Sequence, residues 1–450
     1  MEEVRVGELL EKIRELMATK QYRVLKLELA DIYPQDLAEI FEDISAEDGV
    51  ILFRLLHKNQ AAEVFSYLTP HARKQIVSNI QESQLQYILS ELYFDDKIDF
   101  LEEMPANFVK SLLANSPAEE RQMINQFLNY PENSAGSLMT IEYVDLKKQM
   151  TVRQALERIK QIGVDKETIY TCYVLDETRC LEGLLSLRRL VLSDEESVVG
   201  DIMHTDLVVA EVGDDQEEIA ENFKKYDLMA IPVVDGEKRM IGIITIDDIV
   251  DVIEQENTED FHKMAAMAPS DEEYLDAGVF QLAKSRIVWL LVLMLSATFT
   301  GAIMTRYEDL LSVAVVLTAS IPMLMDSGGN AGSQSSTLII RSMALGELGL
   351  ADLGRVVWKE LRVGIVVGLA LMAANMLRMQ LFGNAWNVTL TVSLTLLCTI
   401  IGAKLTGGIL PLLAKAVKLD PAIMASPLIT TIVDAVSLII YFNIAKVLVL

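Results

Sequence analysis

The hydrophobic rhythm of the chain changes twice. Over residues 1–130, apolar positions return in short bursts at helical spacing: Leu37, Ile40, Phe41 and Ile44; then Val64, Phe65 and Leu68; then Leu85, Ile88, Leu89 and Leu92. Steps of three and four put such residues on one face of a helix. Polar breaks separate the bursts, and Thr69-Pro70 and Ser116-Pro117 each read as an N-cap followed by a helix-starting proline. A compact, all-helical, solenoid-like domain is expected there.

Residues 131–257 carry a strand rhythm and an internal repeat. Ser137-Leu138-Met139-Thr140 returns as Asp201-Ile202-Met203-His204, and CYVLDETRCLEGLLSLRRLV from Cys172 returns as IPVVDGEKRMIGIITIDDIV from Ile231. Each copy predicts strand, turn, strand and helix. The repeat resembles a tandem pair of CBS domains, regulatory α/β modules that often bind adenine nucleotides such as ATP. In that family a Ser or Thr and an Asp three residues later hold the ribose. The second copy has Thr245 and Asp248, whereas the first has Ser186 followed by Arg189 in place of the acid.

From residue 281 onward the pattern becomes continuous apolar runs: Ile287 to Met304, then 311–340, 356–377, 388–414 and 423–449. A helix needs roughly 20 such residues to cross a bilayer, so a five-helix transmembrane domain is expected over 281–450. Lys284 and Arg286 precede the first span, Arg341, Arg355, Lys359 and Arg362 separate the second from the third, and Lys415 and Lys418 separate the fourth from the fifth. The opposite loops hold only Arg306 and Arg378. Basic residues favour the cytoplasmic side, which puts the N-terminus inside and the C-terminus outside.

Charge follows the same division. A chain of 450 residues suits two or three domains. Its net charge is −26, yet eight acids face twelve bases from Lys284 onward, so the preceding residues carry −30. Such a surface repels nucleic acid and attracts cations. Cys172, Cys180 and Cys398 have no metal-ligand spacing and suit a reducing compartment. Met1 opens an acidic amphipathic stretch rather than a basic and apolar leader, so the N-terminal half is expected in the cytoplasm.

Residues 246–280 form an acidic connecting segment. In IDDIVDVIEQENTEDFHKMAAM, Asp248, Asp251 and Glu259 share a helical face with Glu256 and Asp260 beside it, and nothing basic precedes Lys263. Two carboxylates about 5 Å apart repel by about 3 kcal/mol at an effective dielectric of about 20. Carboxylate-rich surfaces of this kind would separate unless cations joined them, and Mg²⁺ suits oxygen ligands and keeps its waters. Glu63, Asp95, Asp99, Glu217 and Asp227 extend the acidic character of the soluble half.

Within the spans, the ionisable groups are the candidates for function. Asp434 lies in SPLITTIVDAVSLIIY beside Thr430 and Thr431, with no base of its own span in reach. Lys404 of the fourth span is its one conceivable partner. The second span contains PMLMDSGGNAGSQSST, with Asp326, Gly328, Gly329, Asn330, Ser333, Gln334 and Ser335. An irregular polar backbone is expected there, lining a cavity rather than facing lipid.

GGNAGSQSSTLIIR, ASPLITTIVDAVSLIIY and the order of helical domain, CBS pair, acidic helix and five spans resemble the MgtE family of bacterial Mg²⁺ channels. The resemblance implies a mainly α, multi-domain membrane protein that works as a homodimer in the inner membrane, with the pore formed by spans two and five. It implies that Asp434 binds the hydrated ion, in a pore whose width Gly328, Gly329 and Asn330 set. It further implies Mg²⁺ sensor sites at Glu63, Asp95, Asp99, Glu217, Asp227, Asp248, Asp251, Glu256, Glu259 and Asp260, with Asp420 near the inner pore mouth. Two other readings stay open: an exchanger coupled to protons or sodium through Asp326 and Asp434, and a membrane-anchored sensor that conducts nothing. An enzyme is not expected, since His57, His71, His204 and His262 are scattered and no nucleophile is paired with a base.

Overall fold

The computed structural model describes residues 2–270, 274, 277–307, 315–424 and 426–448. The chain divides into two compact units, one ending at Ile253 and the other beginning at Glu254.

The first unit opens with ten short helices, from Glu2–Ala18 to Ala118–Phe127. The apolar bursts become its core: Leu37, Ile40, Phe41, Val64, Phe65, Leu68, Leu85, Ile88, Leu89 and Leu92 are all buried. Edge-to-face rings run through it, with Phe41–Phe53, Phe53–Phe65 and Phe65–Phe100 centroids 6.0, 6.3 and 5.3 Å apart. Thr69 caps the helix Pro70–Val77 by accepting a hydrogen bond from the Ala72 amide. The second proline signal works differently. Pro117 is itself the N-cap of Ala118–Phe127, and Ser116 closes the preceding helix, because the helical hydrogen bonds begin at the Pro117 carbonyl.

Two three-stranded sheets follow, β1 (Val144–Leu146), β2 (Thr171–Leu175) and β3 (Leu181–Ser186), then β4 (Ala210–Glu211), β5 (Ala230–Val234) and β6 (Met240–Thr245). In each the first strand is parallel to the second and the second antiparallel to the third. Even the register break repeats, at Val174/Leu175 and at Val233/Val234. The repeated tetrapeptides explain how the copies join. Thr140, which leads into the first sheet, exchanges backbone hydrogen bonds with Ile243 of β6, and His204 exchanges them with Leu184 of β3. Each crossing presses on a glycine: a β-carbon at Gly242 would stand 2.5 Å from the Thr140 carbonyl oxygen, and one at Gly183 would stand 2.9 Å from that of His204. The strand, turn, strand, helix order read from the repeat is present in both copies, and the helix after β6 runs from Ile246 to Met264.

Among the described residues the second unit has five long helices: Val279–Arg306, Val315–Ala344, Leu353–Leu381, Trp386–Ala416 and Ser426–Leu448. Four meet the length and hydropathy needed to cross a membrane, and the second is the exception. Its polar run lowers its hydropathy. The first carries Val288, Leu290, Leu291, Val292, Leu295 and Phe299 exposed around its circumference, which a helix in water would not sustain. The expected irregular backbone in the second span is not found. Val315–Ala344 continues as one helix through Pro322, Gly328 and Gly329. The glycines serve close packing instead: a β-carbon at Gly328 would stand 2.7 Å from Thr399 Cγ2 and 3.0 Å from Val433 Cγ1, and one at Gly332 would stand 2.8 Å from Ile429 Cγ2.

Candidate functional site

The second long helix sorts its polar residues onto two faces. Gly328, Gly329, Ala331, Gly332, Ser335 and Ser336 are buried, while Asp326, Asn330, Gln334 and Thr337 are exposed. Steps of four, four and three make the exposed set a single stripe. The buried serines are fully engaged. Ser335 Oγ donates to Glu360 Oε2 at 2.6 Å, and Ser336 Oγ donates to the Met424 carbonyl at 2.7 Å.

Asp434 behaves otherwise. It lies eight residues into the fifth long helix, and its Oδ1 is buried without a hydrogen-bond partner among the described residues. The Asp326 carboxylate acts on it and repels it. Thr399 Oγ1 and Ser437 Oγ are likewise buried and unpartnered, and both residues border Gly328. The conceivable Lys404 partnership is not made: the Lys404 amine lies 3.2 Å from Ser335 Oγ and 3.5 Å from the Ala331 carbonyl. Thr431 spends its hydroxyl on the Pro427 carbonyl, 3.1 Å away. Gly329 packs on Thr430, with a β-carbon there 2.8 Å from Thr430 Cγ2.

Within the first unit the acidic residues gather around the helix Phe94–Glu102. Burial raises the Asp95 carboxyl well above the ordinary range, with Asp248, Asp96 and Glu167 adding to the effect. Asp99 keeps solvent contact, yet loss of hydration and the neighbouring Asp96 and Glu102 push it up to about 7, against the pull of Arg73. Asp248 is raised to about 6, mainly by burial; Thr245, whose hydroxyl donates to Asp248 Oδ2 at 2.6 Å, opposes the rise. Glu167, driven by burial and by Asp248, Asp247 and Asp96, rises to about 8. Glu63 stands close enough to act on the same Tyr93 hydroxyl as Asp95.

Glu217 and Asp227 lie at opposite ends of the helix Gln216–Tyr226, exposed and outside this group; Asp227 closes that helix in the left-handed conformation. Asp251 is exposed on the helix Ile246–Met264. In the second unit, Glu256, Glu259, Asp260 and Asp420 surround Lys263, whose amine lies 2.6 Å from both Glu259 and Asp420. Burial works against the Lys263 charge, but hydrogen bonds to Asp420 and Glu259 outweigh it and raise the amine above its ordinary value. Asp260 is raised to about 6 by burial and by Asp420.

Sequence reading therefore missed Asp96, Asp247 and Glu167, and it missed Lys263 as the counter-charge. Asp96 and Asp247 stand next to named acids and were recoverable. Glu167 comes in from the loop before β2 and had no signal. Among the described residues, no three His, Cys, Asp or Glu side chains converge closely enough to hold a metal ion directly.

In the first copy of the repeat, Ser186 caps its own helix through the Arg189 amide, and the Arg189 guanidinium lies 2.7 Å from His204 Nε2. In the second copy the Thr245–Asp248 pair is intact.

Comparison with known proteins matches these parts one by one. Residues 32–133 match the MgtE intracellular N domain, 199–255 the CBS domain, and 321–444 the MgtE divalent cation transporter profile. The magnesium transporter MgtE of Thermus thermophilus is 36% identical over 443 residues, covering 97% of both chains. The chain belongs to the MgtE family. The Bacillus subtilis MgtE is 31% identical over 441 residues, again covering 97% of both. Among solved structures, the cytosolic domain of the Mg²⁺ channel MgtE in complex with ATP is 35% identical with a TM-score of 0.52, covering 54% of this chain and 99% of that one. MgtE relatives are magnesium transporters rather than enzymes, in keeping with a chain whose polar constellation sits among apolar helices.

Proposed function

We propose that this MgtE chain conducts Mg²⁺ as a homodimer, along a path lined by the Asp326–Asn330–Gln334–Thr337 stripe and Asp434, and that internal Mg²⁺ closes it. One observation carries the reading: a buried carboxylate oxygen at Asp434 has no hydrogen-bond partner among the described residues, in a helix apolar enough to span a bilayer. A charge in that setting is costly unless it meets water or a cation. The polar stripe beside it has no use against lipid, so a second copy facing it across a wet passage accounts for both. Two Asp434 carboxylates would match one doubly charged ion, and acting through its waters they would not need to strip it. The expected topology, N-terminus inside and C-terminus outside, goes with this reading.

Mg²⁺ flux into liposomes holding the full chain should fall at least about a hundredfold with Asp434→Ala. Unchanged flux would remove the carboxylate from the path. A proton- or sodium-coupled exchanger would be revealed by flux that follows the gradient of the coupled ion at constant voltage.

Closure is assigned to Mg²⁺ on the acidic groups around Asp95, Asp99 and Asp248 and around Glu256, Glu259, Asp260 and Asp420. Glu63, Glu217, Asp227 and Asp251 are further candidate ligands. Neutralising Asp248, Asp251 and Glu259 together should leave conduction intact and raise the internal Mg²⁺ needed to close. Single-channel closure at the parent's Mg²⁺ level would contradict this. The ATP-bound relative and the intact Thr245–Asp248 pair favour an adenine nucleotide as ligand of the second CBS copy, with calorimetric titration of ATP into the parent and Thr245→Val as the check.

A further inference from the structure

A second charged group lies deep among the long helices, and the conduction path makes no use of it. Lys404 is 5% exposed. Counted along their helices at about 1.5 Å per residue, Lys404, Ser335 and Glu360 lie about 18, 14 and 10 Å from the ends that carry the basic loops. At such depth an ammonium group is a liability unless it has work to do.

Its contacts form a directional chain across three helices. The Lys404 amine donates to Ser335 Oγ at 3.2 Å, and the Ser335 hydroxyl donates in turn to Glu360 Oε2 at 2.6 Å. The hydroxyl thus accepts from the cation and donates to the anion, so the charges balance through it. The amine also lies 3.5 Å from the Ala331 carbonyl. Residues 331 and 335 are one turn apart on the buried face of the second long helix. Each directly follows a residue of the exposed stripe, Asn330 or Gln334. Rotating that helix would break the chain and swing the stripe together.

We propose that Lys404 and Glu360 are positioning residues for permeation: acting through Ser335, they fix the rotation of the second long helix and so the placement of Asp326, Asn330 and Gln334. The inference rests on the conduction path proposed above and adds residues that never meet the ion.

The test compares the parent with Lys404→Met, Glu360→Gln, the double variant and Ser335→Ala, as full chains. Two readouts are taken: thermal unfolding in detergent, and the ratio of Mg²⁺ to Co²⁺ flux in liposomes, which does not depend on the amount of active protein. Each single neutralisation leaves one charge unbalanced, the half-buried Glu360 or the buried Lys404, and should lower the melting temperature. The double variant should regain most of that temperature while its flux ratio stays displaced, by between about threefold and a hundredfold. Ser335→Ala keeps both charges and should displace the ratio in the same direction, which preserves the test if a charge variant fails to fold. Parent-like flux ratios in both the double variant and Ser335→Ala would reduce the chain to scaffolding and overturn the proposal. A double variant no more stable than the worse single would overturn the charge coupling. Neither outcome touches the proposed path, which stands or falls with Asp434→Ala.

Discussion

Among the described glycines of the second unit, Gly407 makes the closest approach to another helix's backbone, at Gly332, and this gives a graded test of the packing. An ideal β-carbon at Gly407 would stand 3.0 Å from the Gly332 carbonyl carbon and 3.2 Å from its Cα, with the carbonyl oxygen nearer still. Carbon atoms settle about 3.5–4.0 Å apart, so Gly407→Ala must part the two helices by roughly 0.5–1 Å. The obstacle is backbone and cannot rotate away. Overpacking of that kind costs about 1–3 kcal/mol. At Gly364 the same methyl would meet Ile401 Cα at 3.1 Å, a smaller insult. At Gly402 it would meet nothing within 4 Å. There the change should be neutral, or stabilising by up to about 1 kcal/mol through helix propensity alone. Thermal unfolding of the three alanine variants in detergent should rank them Gly407, Gly364, Gly402 in order of damage. Flux per folded protein should fall most for Gly407→Ala, since Lys404 and Ser335 sit one turn away from this contact. Equal melting temperatures for Gly407→Ala and Gly402→Ala would refute the close packing of the second and fourth long helices.

The acidic group of the first unit should make stability depend on pH and Mg²⁺ together. Glu167, Asp99 and Asp248 have folded pKa values of about 8, 7 and 6, all above the ordinary carboxylate value of about 4. The folded state holds protons that the unfolded state has released, so stability declines as pH rises through this window. Calorimetry of the full chain should therefore show the soluble unit melting lower at pH 8 than at pH 5.5. Mg²⁺ should raise that melting temperature more at pH 8, and an equal Mg²⁺ effect at both values would argue against carboxylate binding. Ser336→Ala removes the donor to the Met424 carbonyl and should cost about 1–2 kcal/mol, measured as a lower unfolding temperature with little change in ion preference.

Much of this arrangement was legible in the sequence because periodicity survives folding. The bursts at Leu37, Val64 and Leu85 became core, and the repeat became two sheets with the same register break. What the sequence hid was partnership. Met139-Thr140 and Met203-His204 stood out as a repeat, but nothing local says that each would cross to the other copy's sheet. The polar run after Pro322 was legible as non-lipid sequence. Its continuation as helix was not, because tertiary packing of Gly328 and Gly332 against the fourth and fifth helices overrides the cost of glycine in a helix. Lys263 was read as the end of an acidic run, although its place between Glu259 and Asp420 makes it the cation already seated there. Long-range pairing of this kind leaves no mark on spacing.

Lys404 and Asp434 both lie at depth in the same bundle, and they differ in what meets their charge. Lys404 has its charge passed through a serine to a carboxylate, and nothing about it calls for a group outside the chain. Asp434 has one oxygen buried with no donor among the described residues and a like charge at Asp326 for company, and the hydroxyls of Thr399 and Ser437, which border Gly328, are likewise buried without a partner there. Elsewhere in the same bundle Ser335, Ser336, Asn375 and Tyr441 are satisfied with bonds of 2.6–2.8 Å. On the proposed path the Asp434 carboxylate is short of donors because water, and the cation that water carries, would meet it from outside the chain.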